Sequence, residues 1–281
     1  MYPNREVYSQ PPVVMVTAQA TFIDSPRLRQ PENLASLSAA LQDRFPLSDQ
    51  ISMGMGAAAA PGQMPQMVPQ FAQVLRNADA TESLTVTSWS ITYETTAYIE
   101  FDMFLTGLVA SCHALVALNI RPALRRIGLR YINEIRVPEP MTDMRDWATW
   151  IDPVALGAMA ITPDDVPVRT LQGAVSFDLG GGGGLNVGCA AIPQGGAVNP
   201  QFLVRPPVPP GPCFVVDLDG YFEVGEGVTM QLNNDVVGET LTTVHGPIGT
   251  AFQRVITDNA RSLFRGGPAR IAEVATGRHS L

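Results

Sequence analysis

The stretch Ile127–Val137 reads Ile-Gly-Leu-Arg-Tyr-Ile-Asn-Glu-Ile-Arg-Val, and its period of two constrains the fold more than any other part of the chain. Ile127, Leu129, Tyr131, Asn133, Ile135 and Val137 share one face; Gly128, Arg130, Ile132, Glu134 and Arg136 share the other. An apolar row backed by a mostly polar one describes a half-buried strand. Asn133 interrupts the apolar row, and a buried amide left without partners costs on the order of 1–3 kcal/mol. The expectation is a central strand in which Asn133 is buried and bonded to neighbouring backbone, with Arg130 and Arg136 pairing with Glu134 or with acids across the strand.

A strand buried on one face needs a sheet to join and a layer to cover it. Val13–Phe22, rich in Val and Thr, predicts the first strand, and Asp24, Ser25 and Pro26 supply a turn. A helix then starts at Pro31, carries Leu34, Leu37, Leu41 and Phe45 at helical spacing, and stops at Pro46. Ile51–Pro69 reads as a short strand followed by a loop in which Met53, Met55, Met64 and Met67 fill gaps or make an adaptable surface. Leu84–Ala97 changes phase between Val86 and Trp89, which predicts one strand bulged near Thr87 or Ser88. Glu100 and Asp102 head a helix with Phe101, Leu105, Leu108, Cys112 and Leu115 on one side, ended by Pro122. Strand, helix, strand thus occurs twice before residue 140.

Pro138 and Pro140 mark a boundary between an N-terminal α+β half, 1–140, and a C-terminal β-rich half, 141–281. A short helix is expected around Asp143–Ile151. Leu171–Leu179 and Leu185–Ile192 form a hairpin across Gly180–Gly184. The prolines from Pro206 to Pro212 make a stiff extended connector, or a recognition ligand, leading into a strand at Cys213–Val224. Gly246 and Pro247 open a closing helix behind His245, striped by Ile248, Phe252, Val255, Ile256, Leu263 and Phe264 and ended by Gly266, Gly267 and Pro268. Ala269–Leu281 carries no strong signal.

Composition narrows the function. The chain is 46% hydrophobic and only 16% charged, which suits a protein that buries much of its surface or assembles with partners. All 18 basic residues are arginine, so Schiff-base and P-loop lysine chemistry is excluded. A net charge of -8 argues against nonspecific nucleic-acid or anionic-membrane binding. Cys112, Cys189 and Cys213 are scattered in apolar sequence, which indicates neither a disulfide framework nor a metal site and fits a reducing cytoplasm. Residues 1–12 lack a signal core, and the uncharged run Phe104–Asn119 is shorter than the roughly 20 residues of a spanning helix.

Few residues carry chemistry. The glycine run leads into a strand rather than a helix, so it lacks the context of a phosphate cradle. Asp217, Asp219 and Glu223 share a strand face with Tyr221; they are either a solvated face or carboxylates able to hold Mg²⁺ or do acid–base work. His113 sits in an apolar helix. His245, at the expected helix entrance beside Thr242 and Thr243, is the better placed histidine for meeting a ligand. Arg125, Arg126, Arg130 and Arg136 form the densest positive patch, suited to phosphate or carboxylate forks. No Gly-x-Ser-x-Gly elbow or HExxH accompanies them.

Three stretches together resemble a known family: Pro11-Pro12-Val13, the hexapeptide Gly-Leu-Arg-Tyr-Ile-Asn at Gly128–Asn133, and His245-x6-Phe252-x4-Thr257. The family is a sporadically distributed bacterial one of similar length, also met in phage and mobile-element settings, without an assigned activity. The resemblance implies an α+β fold and a bacterial or phage source, not a reaction. The glycine run and the proline-rich insertion depart from it.

The sequence therefore predicts an α+β protein, mainly antiparallel, with helices on one side of the sheet. The leading functional expectation is a non-enzymatic interaction or assembly protein that binds a protein partner or itself, with Arg130, Tyr131, Asn133 and Arg136 as binding candidates and no cofactor, metal, membrane or nucleic acid. The alternative is a metal-dependent phosphate-processing or nucleotide-binding enzyme using Asp217, Asp219, Glu223 and His245 with Arg130.

Overall fold

The alternation at Ile127–Val137 produces a strand, β6, spanning Leu124–Ile135. Ile127, Leu129 and Ile135 are fully buried, Tyr131 nearly so, and Asn133 is 4% exposed. Asn133 Nδ2 donates to the Val216 carbonyl at 3.0 Å, which satisfies the amide against the neighbouring strand. The computed structural model describes residues 6–56, 67–138, 141–161, 163 and 165–266.

Eight further strands join β6: β1 Val13–Phe22, β2 Leu47–Gly56, β3 Met67–Arg76, β4 Glu82–Val86, β5 Ser90–Thr95, β7 Leu171–Gly180, β8 Gly183–Ile192 and β9 Cys213–Glu223. They form one sheet in the order β2-β3-β4-β5-β1-β6-β9-β8-β7, and every pairing is antiparallel. The fold is α+β with the helices on one side of this sheet. They are α1 Pro31–Ala40, α2 Phe101–Ala117, α3 Pro153–Leu156, α4 Asn234–Val255 and α5 Asp258–Phe264. No helix among the described residues is long and apolar enough to cross a membrane.

Several elements differ from the reading of the sequence. Leu84–Ala97 is two strands rather than one bulged strand: Thr87 Oγ1 accepts from the Trp89 and Ser90 N–H groups, at 3.2 and 2.9 Å, and this turn folds β4 back on β5. The polar segment Leu47–Gly56 is a full strand, paired along its length with β3; the methionine loop that follows lies largely outside the described residues. α1 stops at Ala40, yet Leu41 and Phe45 still reach the core from the turns behind it. α2 ends before Asn119, whose φ of 58° breaks the helix three residues ahead of Pro122.

The largest difference concerns the closing helix. α4 starts at Asn234, where the Asn233 side chain accepts from the Val236 N–H at 2.8 Å, and it runs through Pro247. Four threonines and several glycines give this segment low helix propensity. Val237, Leu241, Val244 and Ile248 nevertheless bury one stripe against the sheet, and burial prevails. His245 is therefore in mid-helix, not at a helix entrance. The helix breaks at Ile256, which is extended and bridges to Ile151, so the residues expected to continue it form the separate α5, capped by Thr257.

α4 lies on β9 because Gly220 lets it approach: a Cβ there would come within 2.8 Å of the Ile248 side chain and 3.3 Å of the Val244 carbonyl. Gly220→Ala is expected to destabilise the protein by about 1–3 kcal/mol through overpacking. A denaturant midpoint unchanged from the parent's would show that the helix can lift at no cost.

Candidate functional site

The helix-free face of β6 and β9 carries most of the acids and arginines singled out above. Arg130 grips Asp217 with both Nε and a terminal nitrogen, at 2.8 and 2.5 Å. Arg126 donates to both oxygens of Asp219, at 3.3 and 3.0 Å, and its guanidinium lies 4.5 Å from the centre of the Tyr221 ring. Each aspartate is thus held by an arginine of the neighbouring strand: Arg130 takes the residue diagonal to it, and Arg126 reaches past Tyr221 to one four positions from its own partner, Glu223. Among the described residues no group of three or more His, Cys, Asp or Glu side chains could hold a metal ion. Asp217, Asp219 and Glu223 share this face, whereas His245 is on the helical side with Tyr131 and Asn133. The sheet separates His245 from Asp217, Asp219, Glu223 and Arg130, which the enzymatic alternative would need beside it.

Glu134 forms the most enclosed polar cluster on this face. Its side chain is fully buried between Arg136 and Arg205. Arg205 donates to both carboxylate oxygens at 3.0 Å, Arg136 donates to one at 3.0 Å, and the Ala197 N–H adds another bond at 2.8 Å. Burial opposes ionisation of Glu134, but the bonds from Arg205 and Arg136 outweigh it and hold the carboxyl below its ordinary value of 4.5. Arg136 continues outward to the carbonyls of Gly195, Pro209 and Gly211. The proline-rich insertion is therefore strapped to the sheet by one carboxylate and two guanidiniums. Arg136 thereby ties the insertion down at Pro209 and Gly211.

On the helical side, three stretches distant in the chain meet. Pro11, Pro12 and Val13, then Tyr131 and Asn133, then His245 and Phe252, line one cavity of about 100 Å³. The His245 ring lies flat on Phe101, centroids 3.9 Å apart and planes within 6°. Tyr131 is 6.0 Å from His245 and meets Tyr98 edge-on at 5.3 Å, their hydroxyls 3.2 Å apart. Tyr8 and Gln253 bond to each other at 3.2–3.3 Å on the far wall. Tyr98, Phe101 and Gln253 were not evident as site residues in the sequence; the aromatic Tyr98–Phe101 run at the head of α2 was the available signal.

A second, larger concavity of about 1080 Å³ opens between the β7–β8 hairpin and α4. Its floor is Val175, Phe177 and Leu179 of β7 with Leu185, Val187 and Cys189 of β8; its wall is the α4 segment around Thr243, Pro247 and Ala251. Every residue of β7 except Leu171 is exposed, and Val175, Phe177 and Leu179 are 55%, 48% and 44% exposed. The hairpin itself is held by a glycine turn in which Gly180, Gly181 and Gly182 all adopt positive φ. The three cysteines are free thiols. Burial pushes Cys112 up to about 12 and Cys189 up to about 11, which suppresses thiolate chemistry at both.

Neither a protein-family model nor a curated protein matches the chain.

Proposed function

We propose that the chain is a non-enzymatic assembly protein that pairs with a second copy of itself along β7. The observation that carries this reading is an edge strand ten residues long that borders an open apolar groove, its only irregularity and its only charge lying at the Asp178 end. Natural sheets blunt such edges with proline, inward charge or a covering element. β7 has no proline and one charge, Asp178.

Self-pairing suits its sequence. A two-fold axis through Ser176 sets Val175 of one copy opposite Phe177 of the other, an aromatic and β-branched cross-strand pair. The same axis sets Leu179 opposite Gly173 and Asp178 opposite Ala174, so no like charges meet. The groove lining and the rest of β7 together make about two dozen residues, in the range of roughly 20–30 per side that a standard interface takes. The reducing cytoplasm inferred from the sequence fits three free thiols, one of them on the groove floor.

Multi-angle light scattering is expected to give a dimer, and Phe177→Lys a monomer with unchanged circular dichroism, because Phe177 is half exposed in the single chain. A parent protein that stays monomeric at about 100 times a micromolar Kd, where binding would be nearly complete, would sink the proposal.

A further inference from the structure

The cavity behind Tyr131 lies on the β1, β6, α2 and α4 elements and uses none of the β7 edge, so what it binds is independent of how the chain assembles. Its chemistry leans one way. Its described lining is rich in aromatic residues: Tyr8, Tyr98, Tyr131, Phe252 and the stacked pair Phe101 and His245. It opens where Val7 and Ile99 are exposed and where the carboxylates of Glu6 and Glu100 are part-exposed. No arginine is among the described residues that line it. Two arginines that touch lining residues are already engaged: Arg265, just after α5, clasps Glu6 through both carboxylate oxygens, at 2.5 and 2.6 Å, and Arg261 of α5 bonds to Asp258 and Gln253.

We propose that this cavity is a binding site for a small organic ammonium group. Electron-rich ring faces attract a cation placed within about 6 Å of their centres, and more strongly once water is excluded. A carboxylate at the opening, Glu100, adds long-range attraction of the same sign. Among the described lining residues an anion would meet the Glu100 carboxylate at the entrance and no guanidinium inside. The volume of about 100 Å³ is room for a few water-sized groups, which admits a head group with several carbons and excludes a nucleotide.

Two sources share this chemistry: a free alkylamine and the side-chain ammonium of a lysine in another protein. The chain contains no lysine, so a second copy cannot supply that side chain.

Proton NMR titration of the intact protein at fixed ionic strength tests the proposal, with the aromatic resonances of Tyr98, Tyr131 and His245 as the readout. tert-Butylammonium chloride is expected to bind saturably with a Kd of about 1 mM. Its neutral isostere tert-butanol is expected to bind at least about tenfold more weakly. Tyr98 is part-exposed, so Tyr98→Leu should keep the fold and weaken ammonium binding by roughly tenfold; Glu100→Gln should weaken it by roughly threefold. Comparing n-butylammonium with N-acetyl-lysine methylamide separates the sources: tighter binding of the lysine derivative assigns a protein partner, and tighter binding of the amine assigns a metabolite. Equal affinity for tert-butanol, preference for a carboxylate such as pivalate, or binding that neither variant alters would overturn the assignment.

Discussion

Glu134→Gln is expected to cost the protein about 3–5 kcal/mol, the scale associated with removing one partner of a buried ion pair. The substitution keeps the size of the side chain but leaves Arg136 and Arg205, both mostly buried, without the carboxylate between them. Arg205 would retain its bond to the Val198 carbonyl, and Arg136 its bonds to Gly195, Pro209 and Gly211, so the strap should loosen rather than detach at every point. Urea unfolding of the variant against the parent measures the loss; a difference below about 1 kcal/mol would mean that the cluster behaves as a surface pair.

The same residue sets an acid limit. Because the folded carboxyl titrates below 4.5, the unfolded chain takes up a proton first as pH drops, and folding is penalised from there downward. The stabilisation is complete above the ordinary carboxylate range and is lost as pH falls through the lowered folded value. In Glu134→Gln this part of the acid dependence should vanish. An unfolding free energy whose slope below pH 4.5 is the same in variant and parent would contradict it.

Trp147→Ala is the second large effect, again about 3–5 kcal/mol, this time from a cavity. Trp147 has no exposed surface and packs 5.5 Å from Phe214 of β9, in a short turn that Asp143 and Asp146 close by reciprocal capping. Its indole N–H has no hydrogen-bond partner among the described residues. Trp147→Phe should therefore lose much less than the alanine variant, since it removes an unsatisfied donor along with the volume. Thermal melts rank the three proteins; equal losses for Phe and Ala would show that the indole N–H is satisfied after all.

What the sequence disclosed depended on whether one physical signal acted alone. In β1 and β6, alternation, β-branched content and turn residues agree, and both strands fall where the pattern places them. Asn133 could be read as a buried amide because a polar residue on an apolar row has few other solutions. In α4, propensity and burial disagree: proline and glycine punctuate the segment, while the Val237–Ile248 stripe depends on a sheet surface that the sequence cannot display. Those signals place His245 at a helix entrance, a position from which its mid-helix stacking on Phe101 cannot be foreseen. In β4 and β5, one threonine hydroxyl makes the turn, and a phase change alone does not tell a turn from a bulge. The acids of β9 were visible as a set, but their arginine partners follow from the register of β6 against β9, which no local pattern supplies.

The strand order has a consequence for how the chain is made. β2, β3, β4 and β5 zip together from neighbours in the chain, as do β7 and β8, so these pairings form with little loop-closure cost. At the centre, Tyr131 must find Val16 on one side and Leu218 on the other, both distant in the chain. Pairings of that kind slow folding, and until they close they leave apolar strand faces open to other chains. On a ribosome, β6 emerges well before β9 and α4, the elements that complete its edge and cover its buried row. The sheet is thus prepared as two flanks and joined late, and a nascent chain stalled before Cys213 would carry its central strand unfinished.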